Sequence, residues 1–245
     1  MYVTIGDLRP MRDGAWVLMA GCNWKCPYCF ERDILDKDLC KKNSKCKVVH
    51  VQELVEAILK SGAKLVKIDG GEPTVQDREL EMMCQYLKSQ NVGVQLCTNG
   101  SRPEIVGDLL TKGLVDWVTV DVKAPLDNEE LYKRMTGGKG SPQPVRETID
   151  IARDKAQVFE INYPVIPGEN DKKEYLTKLA KDLYYCGVFT VRGFDKRRPI
   201  VSDEWYKTKQ VIPHAKLKEL AVAARDAFNS VDTVRFISHE GEEEV

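Results

Sequence analysis

Several features that would classify a chain of this size at once are absent from it. The 245 residues contain three histidines, His50, His214 and His239, which match no catalytic template. No apolar run approaches the length that crosses a bilayer, and the N-terminus lacks a signal peptide. The formal net charge of -1 provides no basic field for nucleic acid. We therefore expect a cytoplasmic protein with no membrane partner, and a nucleic-acid partner is not indicated.

Neither repeats nor low-complexity segments divide the chain. Its 42% apolar and 31% charged residues are typical of globular proteins, and its length allows one large core. We expect a single domain over residues 1–245, with a core from about 14 to 195 and a C-terminal helix and short strand within 196–239. The acidic residues 240–245 are expected to form a frayed, solvated tail.

Apolar runs that predict strands alternate with apolar faces that predict helices. Residues 16–20 form the first strand-like run, and the i, i+3, i+4, i+7 spacing from Val51 to Ile58 gives the first helical face. Six such units predict right-handed βαβ connections and a parallel sheet. We predict an α/β fold, a partial (β/α)6 TIM-like barrel, with a doubly wound sheet as the alternative. Further predicted strands cover 65–68, 92–96, 117–122, 158–165, 188–194 and 234–237, and further helical faces 80–87, 105–110, 145–152, 176–183 and 217–228.

Three of the eight cysteines lie close together directly after the first predicted strand. Cys22, Cys26 and Cys29 have C-x3-C-x2-C spacing. Three thiolates can hold three irons of a [4Fe–4S] cluster and leave the fourth iron free to bind another molecule. A structural zinc site would want four ligands, and no CxxC or HxxxH partner follows at finger-like spacing. Three close cysteines cannot pair evenly in disulfides, so the cluster is the favoured interpretation.

This spacing, with an aromatic residue before the last cysteine, resembles the signature of the radical S-adenosylmethionine superfamily. The resemblance implies a [4Fe–4S] cluster whose free iron binds S-adenosyl-L-methionine (SAM). An electron from the cluster would cleave the sulfonium to a 5′-deoxyadenosyl radical, which abstracts hydrogen from a substrate. Gly70-Gly71-Glu72-Pro73, after the next strand, is similar to the family segment that binds the methionine amino group. By the same resemblance, Tyr28 packs near the adenine.

Later loops resemble one branch of that superfamily, the glycyl-radical activating enzymes, which include the activases of pyruvate formate-lyase and of anaerobic ribonucleotide reductase. Thr98-Asn99-Gly100 ends the third predicted strand, and Asp121-Val122-Lys123-Ala124-Pro125-Leu126 follows the fourth. The resemblance implies that Thr98, Asn99, Asp121 and Lys123 lie beside the cofactor. It also implies an electron donor such as flavodoxin or ferredoxin, and a glycyl-radical enzyme as the partner.

Two other functions stay open at this stage. Radical enzymes of this size also act on small molecules, as the 7-carboxy-7-deazaguanine synthases do, or on tRNA. The chain also departs from pyruvate formate-lyase activase: Cys97 stands where that enzyme has Asp, and residues 192–198 lack its His. The non-catalytic alternative is an iron–sulfur or zinc protein that only carries electrons or binds a partner.

Gly71 and the remaining cysteines carry further expectations. Because Gly71 has no Cβ, its backbone can approach a ligand closely. We expect Gly71→Val to spare folding and iron content but to weaken SAM binding by at least about tenfold. Cys84 and Cys186 lie on predicted apolar faces and are expected in the core. Cys40 and Cys46, in the lysine-rich segment 37–47, are expected to be surface thiols, with a redox pair as the alternative.

Overall fold

Ten strands form one sheet in the computed structural model, which describes residues 1–245. The order across the sheet is β10-β9-β8-β7-β6-β5-β4-β2-β1-β3, numbered along the chain. The pairings from β2 through β4 to β9 are all parallel. The strands are β1 (Tyr2–Met11), β2 (Gly14–Met19), β3 (Lys47–His50), β4 (Leu65–Gly70), β5 (Gly93–Thr98), β6 (Trp117–Asp121), β7 (Val158–Val165), β8 (Tyr185–Gly193), β9 (Ser230–Ile237) and β10 (Glu242–Glu244).

Helices connect the parallel strands and bury the faces that the spacing predicts. The second helix buries Val51, Leu54, Val55 and Ile58, which are the four residues of the first predicted face. None of the helices has the length and apolar character that a membrane-spanning segment needs. The helices are α1 (Lys37–Lys42), α2 (Val51–Lys60), α3 (Asp77–Ser89), α4 (Pro103–Thr111), α5 (Glu129–Met135), α6 (Pro142–Lys155), α7 (Lys173–Leu183), α8 (Asp203–Thr208) and α9 (His214–Ala227).

The strand order decides between the two predicted architectures. In a doubly wound sheet the order reverses at a switch point, and helices cover both faces. Here the central order never reverses, and consecutive right-handed connections place every crossover on the same face. The opposite face surrounds a cavity, and β3 and β10 remain as two separate edges. The partial TIM-like barrel is therefore confirmed, and the doubly wound alternative is wrong.

The sheet extends beyond the predicted strands at both ends of the chain. β1 pairs antiparallel with β2 and β3, although its Gly6 and Pro10 obscure the strand pattern in the sequence. The acidic tail is exposed, as expected, but it is not frayed, because β10 pairs with β9. Basic side chains meet its carboxylates: Arg235 donates to Glu242 at 2.8 Å. The acidic run is thus the last strand of the sheet.

The cysteines outside the first loop divide into two groups. Cys84 and Cys186 are fully buried, as predicted. Cys40 and Cys46 form a disulfide, so the expectation of surface thiols is wrong and the paired alternative describes them. Cys40 is buried with Leu18 because α1 folds back against the β2 side of the sheet. The sequence could not show this return of the chain.

Candidate active site

The cysteine loop, residues 20–36, leaves the carboxyl end of β2 and is held open by backbone hydrogen bonds. The N–H of Gly21 donates to the carbonyl of Ile34 at 2.7 Å, and the N–H of Cys22 donates to Leu35 at 2.9 Å. Cys26 is buried, whereas Cys22 and Cys29 are partly buried, and all three are free thiols. The loop therefore presents three unpaired sulfurs at the edge where active sites of parallel α/β folds form.

The segment after α5 clamps the cysteine loop from its other side. The N–H of Lys25 donates to the carbonyl of Thr136 at 3.4 Å. Gly137 has φ +66, and a Cβ there would lie 2.3 Å from the carbonyl oxygen of Lys25. Trp24 meets Tyr132 of α5 edge to face, with ring centroids 6.1 Å apart. Glycine is thus required at 137 both for its conformation and for this close approach.

Gly70 and Gly71 join the end of β4 to the start of the cysteine loop. The N–H of Gly71 donates to Met19 at 2.9 Å, and the N–H of Glu72 donates to Gly21 at 2.7 Å. A Cβ on Gly71 would lie 2.1 Å from the Gly21 carbonyl oxygen. The expectation that Gly71→Val spares folding and iron content is therefore wrong, because valine would displace the backbone that precedes Cys22. The group that approaches Gly71 closely, and so requires a glycine there, is the Gly21 carbonyl of the protein itself.

Glu72 binds the loop after β5 to the loop after β4. Its carboxylate accepts hydrogen bonds from the Thr98 hydroxyl at 2.8 Å and the Asn99 N–H at 2.6 Å, besides both donors of Thr74. Burial raises the pKa of Glu72, although these hydrogen bonds oppose the increase. The Asn99 amide then donates to the Asn23 side chain at 2.9 Å. Glu72, Thr98 and Asn99 thus lie together and reach the cysteine loop.

Asp121 and Lys123 form the centre of a polar network at the end of β6. The Lys123 ammonium donates to Asp121 at 2.6 Å, and the Asn162 amide donates to the other carboxylate oxygen at 2.6 Å. Burial alone would raise the pKa of Asp121, but Lys123 outweighs it and the pKa lies below its usual value. Arg192 then donates to Asn162 at 3.2 Å and forms no ion pair. We call these four residues the mouth network.

A second polar network lies deeper in the barrel, centred on Glu160 of β7. The Glu160 carboxylate accepts from the hydroxyls of Thr119 and Thr190 at 3.0 and 2.6 Å, and from Arg235 at 2.8 Å. Arg235 also reaches Glu242, so each charge in this group has a partner of opposite sign. We call Glu160, Thr119, Thr190, Arg235 and Glu242 the floor network.

Sequence reasoning missed most of the residues of these networks. A signal was present: β4, β6, β7 and β8 carry polar residues at every second position, although strands of parallel sheets usually have continuous apolar runs. The alternation means that polar side chains line the inner face of the sheet, in place of the apolar side chains of a packed core. The residues that this alternation would have shown are Lys67, Asp69, Thr119, Asp121, Glu160, Asn162, Thr190 and Arg192.

One cavity of about 960 Å³ connects the cysteine loop to the inside of the barrel. Its volume is at the upper end of the range for ligand sites, about 300 to 1,000 Å³. The lining contains eight Lys and Arg against six Asp and Glu residues, so it favours anionic groups. It includes each predicted site residue: Cys22, Cys26, Cys29, Tyr28, Gly70, Gly71, Glu72, Thr98, Asn99, Asp121 and Lys123.

The residues at the cavity edge fit an iron–sulfur cluster better than a single metal ion. No three His, Cys, Asp or Glu side chains in residues 1–245 converge closely enough to hold one ion. The three sulfurs stand apart on one loop, as the corners of a larger group require. Burial raises the pKa of Cys29 to about 12, while the Lys123 ammonium acts in the opposite direction. The hydroxyl of Tyr28 is buried beside these thiols without a hydrogen-bond partner, which suits a site completed by another group.

The match to known proteins agrees with this geometry. A family model described as the Radical SAM superfamily matches residues 16–180. A relative from Methanocaldococcus jannaschii, provisionally named a glycyl-radical enzyme activating enzyme, is 26% identical over 228 residues, which cover 91% of this chain and 89% of the relative. A second protein of that organism, with the same kind of name, is 34% identical and covers 86% of this chain and 78% of its own. The structure of TYW1 with a lysine-pyruvate adduct has a TM-score of 0.66 at 15% identity, covers 93% of this chain and 77% of its own, and shows the shared fold.

An open α/β barrel with three free cysteines at its carboxyl edge defines an iron–sulfur enzyme of the radical type. The chain belongs to the radical SAM superfamily. It is therefore an enzyme that uses a [4Fe–4S] cluster and SAM, and the non-catalytic alternative is wrong.

Proposed function

We propose that Cys22, Cys26 and Cys29 hold the cluster and that the surrounding loops hold SAM. The three thiols share one loop, line the cavity and form no disulfide. Gly70, Gly71 and Glu72 are placed to bind the methionine amino group through backbone carbonyls and the Glu72 oxygen that only Asn99 contacts. Tyr28 provides an aromatic face for the adenine. Thr98, Asn99, Asp121 and Lys123 complete the SAM site.

The protein's own residues orient the cofactors and provide a positive charge beside them. When bound, the cluster supplies the electron that cleaves SAM to a 5′-deoxyadenosyl radical. The Lys123 ammonium, 7% exposed and paired with Asp121, provides a fixed positive charge beside the buried thiols. Glu72 and Asn99 lock the loops together, so that the cysteine loop and the SAM loops keep one relative position. Preorganisation of this kind supports a radical reaction because it holds the reacting groups in one relative position.

We propose a glycine residue of a glycyl-radical enzyme as the hydrogen donor. The support is the nearly full-length similarity to two archaeal relatives that carry the activating-enzyme name. The open barrel supports it as well, since the edges of β3 and β10 do not meet and a polypeptide loop can enter. A small electron carrier such as flavodoxin or ferredoxin would supply the electron.

Isotope transfer tests this substrate directly. A glycyl-radical enzyme of the anaerobic ribonucleotide reductase type is prepared with Cα-deuterated glycine and is mixed with the reconstituted enzyme, dithionite and SAM. We expect deuterium in the 5′-deoxyadenosine and a glycyl radical in the electron paramagnetic resonance (EPR) spectrum. Cleavage of SAM without deuterium transfer or a glycyl radical would refute the substrate but not the cofactor assignment.

A second candidate, a small anionic substrate, has one specific observation in its favour. Of the eight cationic residues in the cavity lining, only Arg192 and Lys196 form no ion pair, and Lys196 donates to the Lys209 carbonyl at 2.8 Å. Arg192 therefore has a guanidinium edge free for a carboxylate or phosphate. Stimulation of 5′-deoxyadenosine formation by a small carboxylate or phosphate ester, with no glycyl-radical protein present, would favour this candidate.

A further inference from the structure

The lysine-rich segment 37–47, which we call the lysine loop, contributes no residue to the proposed cofactor site. It contains five lysines and one aspartate, so its formal charge is +4, whereas that of the whole chain is -1. Lys41 approaches a carboxylate, that of Asp38, at 3.9 Å. The other four lysines form no ion pair: Lys37, Lys42, Lys45 and Lys47. The lysine loop is therefore a local surface of positive charge with few internal partners.

The lysine loop is held in one conformation by cross-links within it. The disulfide between Cys40 and Cys46 closes it, and the N–H of Lys45 donates to the Cys40 carbonyl at 2.8 Å inside the closed ring. At its start, the Asp36 carboxylate accepts hydrogen bonds from two backbone N–H groups of α1, both at 3.0 Å. Because the lysines are carried on a fixed backbone, binding a partner there orders less of the chain.

The lysine loop also contacts the backbone that carries the first of the three thiols. The Lys37 side chain packs over Gly21, since a Cβ on Gly21 would lie 2.9 Å from the Cγ of Lys37. The next residue, Cys22, donates its N–H to the Leu35 carbonyl at 2.9 Å, two residues before Lys37. A protein bound to the lysine loop would therefore lie beside the cysteine loop, where an electron has only a short way to the cluster.

Two exposed apolar residues adjoin the lysines. Leu39 of α1 is 55% exposed, and Val48, directly after Lys47, is 50% exposed. Apolar side chains within a charged rim are typical of protein interfaces, whereas binding to a nucleic-acid backbone depends on cations. Weak encounters between electron-transfer proteins bury less than about 1,200 Å², so one short segment can provide much of such an interface. These features favour an acidic protein over a nucleic acid as the partner.

We propose that the lysine loop is the docking surface for an acidic protein electron carrier that reduces the cluster. The inference rests on the proposed cofactor site and is independent of the substrate. In the step that it supports, the reduced carrier loses one electron and the oxidised cluster gains it, and no bond forms or breaks. Complementary charge accelerates such encounters by about 10- to 1,000-fold, and salt suppresses the effect.

Charge reversal on the lysine loop tests the inference. The double variant Lys42→Glu, Lys45→Glu is compared with Lys173→Glu, Lys181→Glu, which makes the same change at two exposed lysines of α7. Formation of 5′-deoxyadenosine by the reconstituted enzymes is measured with dithionite, and with an acidic flavodoxin or an acidic ferredoxin kept reduced by its reductase and NADPH. At low salt, kcat/KM for the carrier should fall about tenfold in the lysine-loop variant and much less in the α7 variant. With dithionite, all three proteins should have the same rate.

Salt dependence and an uncharged variant complete the test. At about 1 M salt, where charges are screened beyond about 3 Å, the wild type and the lysine-loop variant should converge. Leu39→Ser keeps the charge and should lower kcat/KM for the carrier at both salt concentrations; it decides alone should the double variant lose iron.

Four outcomes would contradict one of the two assignments. Equal kcat/KM in the wild type and the lysine-loop variant, or an equal loss in the α7 variant, would overturn the docking surface. So would a wild type that cleaves SAM with dithionite but with neither carrier. Loss of tRNA binding in fluorescence anisotropy, with reduction by the carrier unchanged, would assign the lysine loop to nucleic acid. A wild type that does not cleave SAM even with dithionite would refute the proposed cofactor site.

Discussion

The two halves of the barrel use polar residues in opposite ways. In the cysteine half, formed by β2, β4, β5 and their loops, carboxylate and amide groups bind one another, as Glu72 binds Thr98 and Asn99. The thiols there form no disulfide, and the indole nitrogen of Trp16 and the hydroxyl of Tyr28 are buried without a hydrogen-bond partner. In the far half, formed by β7, β8 and β9, the floor network is closed, and the group left free is the guanidinium of Arg192.

Because of this difference, the two halves suit two different kinds of ligand. Soft sulfur ligands on a rigid, cross-linked loop suit a resident cofactor, which needs one fixed geometry. A cation with a free edge suits a ligand that comes and goes, because the charge keeps its affinity for an anion. The mouth network joins the halves, since Lys123 lies over the ring of Tyr28 in the cysteine loop and Asn162 accepts a hydrogen bond from Arg192. Variants in each half should therefore fail in different ways.

The largest effect is expected in the cysteine half, for Cys26→Ala. This variant should lose the iron–sulfur absorbance and all reductive cleavage of SAM, because the cluster would lack one of three ligands. The control is Cys84→Ala, a cysteine that α3 buries in the core, which should keep both. Full cleavage by Cys26→Ala in a 5′-deoxyadenosine assay would sink the assignment of the cysteine half.

Gly71→Val should come next, and it tests whether the loops of the cysteine half move as one unit. The new side chain must displace the Gly21 carbonyl, 2.1 Å from the position of its Cβ. Overpacking against backbone should destabilise the fold by about 3 kcal/mol and reduce iron content. Gly107→Ala is the control: its Cβ would meet Ile151 at 3.6 Å, so iron content should not change. Weaker SAM binding with normal stability and iron content would restore the simpler expectation from the sequence.

In the far half, Glu160→Leu should damage stability while sparing the cofactor. It leaves Arg235 without its most buried partner, and loss of one member of a buried pair costs about 3 kcal/mol. Urea unfolding should show this decrease, and iron content after reconstitution should match that of the wild type. Loss of iron at unchanged stability would mean that the two halves are not separate.

The fold was largely predictable because apolar periodicity is a local property. The faces of α2 and α3 were predicted residue by residue, and β7 has its predicted bounds. β1 and β10 were not, since an edge strand is defined by the partner that it pairs with. Glu242 to Glu244 are exposed in the structure as well, and only their pairing with β9 makes them a strand.

The site was predictable to the extent that its residues follow strands. Cys22, Gly70, Thr98 and Asp121 share one edge because parallel strands end together. The sequence could not show which of these residues contact other parts of the protein and which are free to contact a ligand. Gly71 reads as a cofactor contact, yet its closest neighbour is Gly21. Likewise, Arg192 appears as part of a basic run until Arg197 and Arg198 are known to pair with acidic residues and Lys196 with a backbone carbonyl.

The smallest effect is expected for Arg192→Gln, and it decides what the far half binds. Arg192 forms no ion pair, so the free energy of unfolding should change by less than about 0.5 kcal/mol. Malonate serves as a probe for small dianions, titrated calorimetrically into reconstituted protein saturated with SAM. We expect Arg192→Gln to weaken malonate binding about tenfold, about 1.4 kcal/mol. Lys196→Gln, the other unpaired cation, should leave it unchanged because its ammonium is bound to the Lys209 carbonyl. If SAM affinity falls and malonate affinity does not, Arg192 belongs to the cofactor site, and the two halves share one ligand.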